Sequence, residues 1–180
     1  TWGDGLLTAN LTGFYYDYSD LQVRALVSEI ISGVSNAAKA DIKGLEGQFD
    51  LNPTDAFALN LNVSWLDAEF GEFLTSDPDS AMPMAIIDLA GNRLSRAPEF
   101  QLSGGAQYEW GLGNQSAVLI RGDVSYQSKV YFDEFNYDTR SQDGFATLSG
   151  KVGYTLPGGS LTVDIWARNI TDKAYAVNIL

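Results

Sequence analysis

Phe57-Ala58-Leu59-Asn60-Leu61-Asn62-Val63-Ser64-Trp65 changes side at every residue: Phe57, Leu59, Leu61, Val63 and Trp65 are apolar or aromatic, while Ala58, Asn60, Asn62 and Ser64 are small or polar. In an extended backbone successive side chains leave on opposite sides, so a period of two describes a strand with one greasy face and one wet face. An amphipathic helix would repeat its apolar positions every three to four residues, and that spacing is missing from this stretch.

The alternation continues in both directions. Upstream, Leu7, Ala9, Leu11, Gly13 and Tyr15 oppose Thr8, Asn10 and Thr12, and Leu45, Gly47, Phe49 and Leu51 oppose Gly44, Glu46, Gln48 and Asp50. Downstream, Leu102, Gly104, Ala106, Tyr108 and Trp110 oppose Gln101, Ser103, Gly105, Gln107 and Glu109. Val118, Ile120, Val124 and Tyr126 then oppose Arg121, Asp123, Ser125 and Gln127, and Leu148, Gly150, Val152 and Tyr154 oppose Thr147, Ser149, Lys151 and Thr155. Last, Leu161, Val163, Ile165 and Ala167 oppose Thr162, Asp164 and Arg168, with Trp166 interrupting the polar side. Strands are expected at about residues 6–18, 39–51, 56–70, 98–110, 116–132, 144–156 and 160–176, all in one unit.

Alternation alone also fits a soluble sandwich, whose inner faces are apolar and outer faces wet. The connections separate the two. Those at 51–55, 111–115 and 157–159 are tight and rich in Gly, Pro, Asn and Asp, while those at about 19–38, 71–97 and 133–143 are long. Short and long alternate, so all the short turns fall on one side, as in transmembrane barrels with clipped turns at one rim and extended loops at the other. Strand ends carry Tyr15, Tyr16, Tyr18, Trp65, Phe70, Tyr108, Trp110, Tyr126, Tyr131 and Tyr154, a pattern expected of an interfacial girdle. The expected fold is an all-β, antiparallel, up-and-down transmembrane β-barrel segment of about seven meandering strands. A charge on the lipid side near mid-membrane costs about 2 to 4 kcal/mol for Arg or Lys, so the polar side is expected to line the lumen. Its charged members are Glu46, Asp50, Arg121, Asp123, Lys151, Asp164 and Arg168.

Composition narrows the function. The 180 residues hold 11 Lys and Arg against 23 Asp and Glu, a net charge of -12, which repels rather than neutralises phosphates and argues against nucleic acid. Without His or Cys there is no zinc finger, thiol chemistry, disulfide or imidazole triad. No catalytic residue, metal site or cofactor is expected. No run of about 18 apolar residues marks a transmembrane helix. Thr1-Trp2-Gly3-Asp4-Gly5 lacks the basic start and apolar core of a signal peptide, which suggests a mature form or an internal piece.

Several segments resemble, in order, the β-barrel domain of TonB-dependent receptors. Asn36-Ala-Ala-Lys-Ala-Asp-Ile-Lys-Gly-Leu-Glu46 is similar to that family's N-A-x-x-A-x-x-x-G-x-E strand and is followed by a turn at Pro53 and the strand ending Trp65-Leu-Asp-Ala-Glu-Phe70. Gly91-Asn-Arg-Leu-Ser-Arg-Ala-Pro98 is similar to its G-x-x-L-x-x-A-P stretch, and Arg121-Gly-Asp-Val-Ser-Tyr126 with Tyr131-Phe132 to a later strand. Trp166-Ala-Arg-Asn-Ile-Thr-Asp-Lys-Ala-Tyr175 resembles the N-L-x-D-x-x-Y strand before the barrel closes. The chain lacks that family's final strand with its terminal aromatic, its plug and its TonB-docking box, so the resemblance implies an excerpt of the barrel.

The resemblance implies part of an active transporter of the bacterial outer membrane. Its partners would be outer-membrane lipid, the TonB-ExbB-ExbD complex acting through other parts of the receptor, and a small-molecule ligand with a ferric siderophore as default. Ligand contact is expected in a long loop, where Tyr131, Phe132, Phe135 and Tyr137 supply stacking area; packing of the loop on its neighbours is the plainer use of the same rings. Asp77, Asp79 and Asp88 are a candidate cation cluster, or simply solvated charges. Gly111-Leu112-Gly113 lacks the third Gly and following helix of a dinucleotide loop and reads as a turn. Asp67 and Glu69 share a strand face but lack the rest of a catalytic constellation. Two other readings remain open on the residues alone: a complete small eight-stranded outer-membrane barrel of structural or adhesive role, and a secreted carbohydrate-binding β-sandwich.

Overall fold

The structure, a computed structural model, describes residues 3, 5–28, 31–77 and 86–179, with the side chains of residues 20, 23–28 and 31–38 outside that description. The chain forms β1 (Leu7–Ser28), β2 (Ile31–Thr54), β3 (Phe57–Glu72), β4 (Leu74–Ser76), β5 (Ile86–Asp88), β6 (Phe100–Gly113), β7 (Ser116–Gln127), β8 (Val130–Tyr131), β9 (Ser141–Gln142), β10 (Phe145–Thr155) and β11 (Thr162–Ala167), with one short 3-10 turn at Asp138–Arg140. Seven of these make a single antiparallel sheet in the order β1-β2-β3-β6-β7-β10-β11. The two remaining pairs, β4-β5 and β8-β9, are small ribbons inside the long connections.

Where a short turn joins two main strands, at β2-β3, β6-β7 and β10-β11, it leaves them no choice but to pair. Asn114 and Gln115 both take positive φ between β6 and β7, the twist-compatible geometry of a two-residue hairpin loop. At the β2-β3 turn the Phe57 N–H donates to the Thr54 hydroxyl at 3.1 Å. At the third short turn the Leu156 N–H donates to the Leu161 carbonyl at 2.9 Å, and the Gly158 N–H reaches the Asn114 carbonyl at 2.7 Å, tying neighbouring turns together.

The register turns sequence alternation into two surfaces. Ala9, Phe49, Leu61, Gly104, Val124 and Leu148 face one another across six strands in one row. The adjacent row, one residue along and on the opposite face, is Asn10, Gln48, Asn62, Ser103, Ser125 and Thr147. No charged residue stands on the apolar face between the row of Trp65 and Phe100 and the row of Trp110 and Val118. On β6, Phe100 to Trp110 spans roughly 26 Å along the barrel axis at about 3.4 Å per residue and a tilt of about 40°, against about 25 Å for the lipid-facing band of outer-membrane barrels. Leu11 and Ile165 on this face are each 77% exposed, so protein does not cover it as the second sheet of a sandwich would.

Four expectations need correction. Residues 19–38 are not a long loop: β1 and β2 continue as a ladder past Leu21↔Ala38 to Ser28↔Ile31, with register shifts after Tyr18, Leu21 and Leu26. The fifth strand ends at Gln127, and Val130–Tyr131 belongs to a separate ribbon, because the Phe100 N–H donates to the Ser128 hydroxyl at 3.0 Å instead of to a strand carbonyl, which closes the ladder there. The last strand ends at Ala167 rather than near 176, because Asn169 and Asp172 take positive φ and the Asn169 side chain accepts from the Lys173 N–H at 3.0 Å, closing a turn. The girdle is smaller than expected. Tyr15, Trp65, Tyr108, Trp110, Tyr126 and Tyr154 lie on the apolar face, whereas Tyr16 and Tyr18 have the opposite parity, Phe70 is buried and Tyr131 sits in a loop ribbon.

The buried apolar cluster of the described residues is not between sheet layers. Phe70, Phe73 and Leu89, with Leu21, Ile87, Leu94 and Phe135 packed against them, form it at the long-loop end. There the chain returning from β5 runs along β3, with Phe70 N–H to Asn92 O at 2.8 Å and Leu94 N–H to Ala68 O at 3.0 Å.

Candidate functional site

Among the expected polar-face charges, the structure gathers Arg121, Asp123, Lys151 and Asp164 in the half nearer the short turns. Arg121 on β7 holds Asp123 through two bonds of 3.1 and 2.5 Å, then reaches across β6 to Gln107 at 3.3 Å and to Asn60 on β3 at 2.9 Å. Lys151 lies opposite Arg121 in the next strand and meets Asp164 diagonally at 3.7 Å. Arg168 stacks over Trp166 at 5.1 Å, which is how that large ring is accommodated on a polar face. Asp50 stands on β2, three strands from β7, opposite Asn60. Glu46 is separate, beside the neutral amide and hydroxyl row, where it lines a groove of about 480 Å³ with Asn10, Gln48, Asn62, Ser103 and Ser125.

The loop aromatics have different surroundings. Phe135 packs against the buried cluster and stacks on Tyr137 at 5.7 Å. Tyr137 donates its hydroxyl to the buried Asp77 of the preceding long connection and lies under the Arg140 guanidinium at 5.7 Å. Asn136 completes the tie, accepting from the Arg93 N–H at 2.7 Å and donating to the Arg93 carbonyl at 2.9 Å. Tyr131 lies under Lys129 at 5.0 Å, and Phe132 lines two shallow grooves, one with Phe145 and Tyr175 and one with Leu21 and Phe70. Lys129 also donates to Asp138 at 2.5 Å, and this bond raises its pKa above the ordinary lysine value.

Asp77, Asp79 and Asp88 do not form a cation site that the structure describes. Asp77 is engaged by Tyr137, Asp88 accepts from the Ala90 N–H at 3.0 Å, and Asp79 lies outside the described residues. Among the described residues no group of three His, Cys, Asp or Glu side chains is placed to hold a metal. Asp67 is paired with Lys43 at 2.9 Å, and Glu69 bridges Arg93 through the backbone.

Sequence reasoning missed an exchange of polarity at the long-loop end. Beyond Trp65 the formerly apolar side becomes charged: Lys43 pairs with Asp67, and Asp41 accepts the Tyr15 hydroxyl at 2.9 Å. The other side becomes apolar: Ala40, Ala68 and Phe70 are buried, and Phe14, Tyr16 and Tyr18 form a ring ladder with centroid spacings of 5.4 and 6.0 Å. The signal was present, since Thr8, Asn10 and Thr12 continue at even positions to Phe14, Tyr16 and Tyr18. Counting those tyrosines as a girdle ignored parity.

Comparison with known proteins gives this geometry a context. The model of the TonB dependent receptor-like β-barrel family matches residues 1–170. The ferric yersiniabactin uptake receptor FyuA from Yersinia pestis shares the fold with a TM-score of 0.73 and 22% identity over 95% of this chain and 23% of that one. The siderophore receptor PiuA from Acinetobacter baumannii gives 0.72 and 17% over 97% and 23%. BauA, the ferric preacinetobactin receptor of the same organism, gives 0.66 and 19% over 95% and 24%. The chain therefore spans about a quarter of each of these receptors, and at such identities the likeness is one of fold.

Proposed function

The chain belongs to the TonB-dependent receptor β-barrel family, and from that premise we propose that it is a wall segment of a receptor that imports a scarce nutrient, a ferric siderophore by default, with energy delivered through TonB. Such receptors are β-barrels of the bacterial outer membrane, a family of transporters and receptors, and this sheet is one stretch of that wall. On this reading the band between Phe100 and Trp110 meets lipid. Glu46, Asp50, Arg121, Asp123, Lys151, Asp164 and Arg168 face the water-filled lumen, and Tyr131, Phe132, Phe135 and Tyr137 shape the outer mouth, the last two chiefly by holding its loops together.

The observation that carries the reading is the sorting of charge. Between the two aromatic rows the sheet keeps every charge on one face, and with no second protein layer over the other face that pattern is the one contact with hydrocarbon requires. A soluble wall with water on one side would have no need of aromatic rows at both limits of the bare face.

The reading is tested by deleting the parent gene and growing the strain with iron supplied as single chelates, beside iron salts and a range of carbon sources. Growth is expected to fail on one chelate and to survive on iron salts, and loss of TonB should reproduce the defect. Undiminished growth on every source would sink the import reading.

A further inference from the structure

The chain after β11 turns back across the polar face. Asn169 and Asp172 take positive φ, a region that Asn and Asp enter more readily than other residues with a side chain. The Asn169 amide holds residue 173 from both sides, accepting from its N–H at 3.0 Å and donating to its carbonyl at 3.2 Å. The reversal is therefore a built joint, and it sends residues 174–178 over β10 toward β7 and β6. There Tyr175 stacks at 4.2 Å and 14° on Phe145, which shares the polar-face row of Gln101 and Gln127. A groove of about 210 Å³ lies between this segment and the wall, lined by Arg96, Gln101, Gln127, Phe132 and Phe145.

The segment is lightly held and its neighbours are not. Beyond the joint it is attached by the Tyr175 ring, by the Ala176 N–H donating to the Gln142 side chain at 2.7 Å, and by the Arg96 guanidinium donating to the Asn178 side-chain oxygen at 2.8 Å. Among the described residues no main-chain to main-chain bond ties 173–179 to the wall, and Val177 is 78% exposed. The two long connections beside it are fastened to each other. Asn136 exchanges two bonds with the Arg93 backbone, the Asn92 amide donates to the Glu134 carbonyl at 3.0 Å, and the Arg96 N–H donates to the Tyr131 carbonyl at 2.8 Å. Phe135 packs on the buried Phe70, Phe73 and Leu89. Local opening begins where burial is least and internal bonds are fewest, which is the returning segment.

Arg96 stands on the fixed side of that boundary. Its φ of 58° is costly for an arginine, and strain of this kind persists where the surroundings hold a side chain to a clamp or switch. Its partner is also of a different kind: Arg93 meets Glu99 at 3.1 Å and Arg140 meets Asp133 at 3.2 Å, whereas Arg96 holds a neutral amide. An amide lacks the charge and the second oxygen that make an arginine–carboxylate pair strong, so the bond fastens without locking.

We propose that residues 174–178 are a hinged strap, latched by Arg96 on Asn178, that opens by itself while the two long connections beside it stay fixed as one body. Its place at the mouth rests on the lumen reading of the polar face; its motion does not depend on what is imported.

Pulsed electron paramagnetic resonance on the intact receptor in lipid nanodiscs, with no other reactive thiol, tests this through two pairs of spin labels. One pair joins Val177 on the strap to Leu112 at the short-turn end of β6; the other joins Ala90 and Thr139, exposed positions on the two long connections. The strap pair is expected to give two distances and the loop pair one. Asn178→Leu should raise the open-to-closed ratio of the strap about fivefold, the equivalent of one ordinary hydrogen bond. Asn178→Asp, which gives Arg96 a carboxylate, should lower it. A single strap distance in all three proteins would overturn the proposal, as would Leu and Asp variants that shift the ratio alike. A loop pair as broad as the strap pair in the unmodified receptor would overturn it without any variant having to fold. None of these outcomes touches import, which the growth experiment decides separately.

Discussion

Gly105 lies under the arm of Arg121. In the register it stands between Asn60 on β3 and Asp123 on β7, and Arg121 crosses directly over it to reach Asn60. A Cβ at that position would run into the Arg121 guanidinium and the Asp123 carboxylate. The Arg121–Asp123 pair is partly open to water, with side chains 28% and 39% exposed, so its ionic attraction contributes little by itself. What Gly105 permits is steric. The atoms an added Cβ would meet are the ends of two flexible side chains that can swing aside, so Gly105→Ala is expected to displace Arg121 from Asn60 and to cost the folded receptor about 0.5 to 1 kcal/mol, below the overpacking of a rigid core. In an Arg121→Ala background the same change should cost far less, a coupling above about 0.5 kcal/mol. Denaturant titration of the four proteins in lipid vesicles measures it, and strictly additive effects would show that Arg121 does not need the bare backbone beneath it.

At the scale of strands, the period of two was enough to find all seven members of the sheet, their pairing order and the three short turns, because each follows from local alternation and turn chemistry. Residues 19–38 were harder. Beyond Tyr18 the ladder slips register three times, so the parity of the first strand no longer predicts its continuation, and the pairing of Leu21 with Ala38 is not written in either segment alone. The ties of Tyr137 to Asp77 and Asn136 to Arg93 were unreadable for the same reason, joining residues of two different loops. Of the expected polar-face charges, parity placed Arg121, Asp123 and Lys151 on one side without revealing that Arg121 reaches three strands. Parity also makes a sharp prediction at the sheet's middle. Val124 and Ser125 are adjacent on β7 and belong to opposite faces. Val124→Lys sets a charge in the lipid-facing band and should cost about 2 to 4 kcal/mol, whereas Ser125→Lys should fold almost normally. The folded fraction, read from heat-dependent migration of outer-membrane samples, distinguishes them; equal yields would mean that the bare face does not touch hydrocarbon.

The whole molecule is set by its edges. β1 and β11 each pair on one side only among the described residues, so their other sides present bare N–H and C=O groups. Hydrocarbon offers these groups no partner, which is why strands cross membranes only in closed barrels. Seven meandering strands do not close on themselves in the antiparallel sense: β1 and β11 both run from the short-turn rim toward the long-loop rim, and joining them would require a parallel pair. Bacterial single-chain barrels avoid this by using even numbers of strands. Closure therefore needs further strands beside both β1 and β11, which the β-barrel of a complete receptor supplies and a self-sufficient small barrel of this chain would not. Residues 1–180 expressed alone should accordingly aggregate or remain unfolded in lipid, while the same strands within the full receptor reach the membrane as a heat-resistant species. Sedimentation, together with migration before and after boiling, reads the difference, and recovery of the isolated chain as a discrete closed monomer in vesicles would contradict the edge argument.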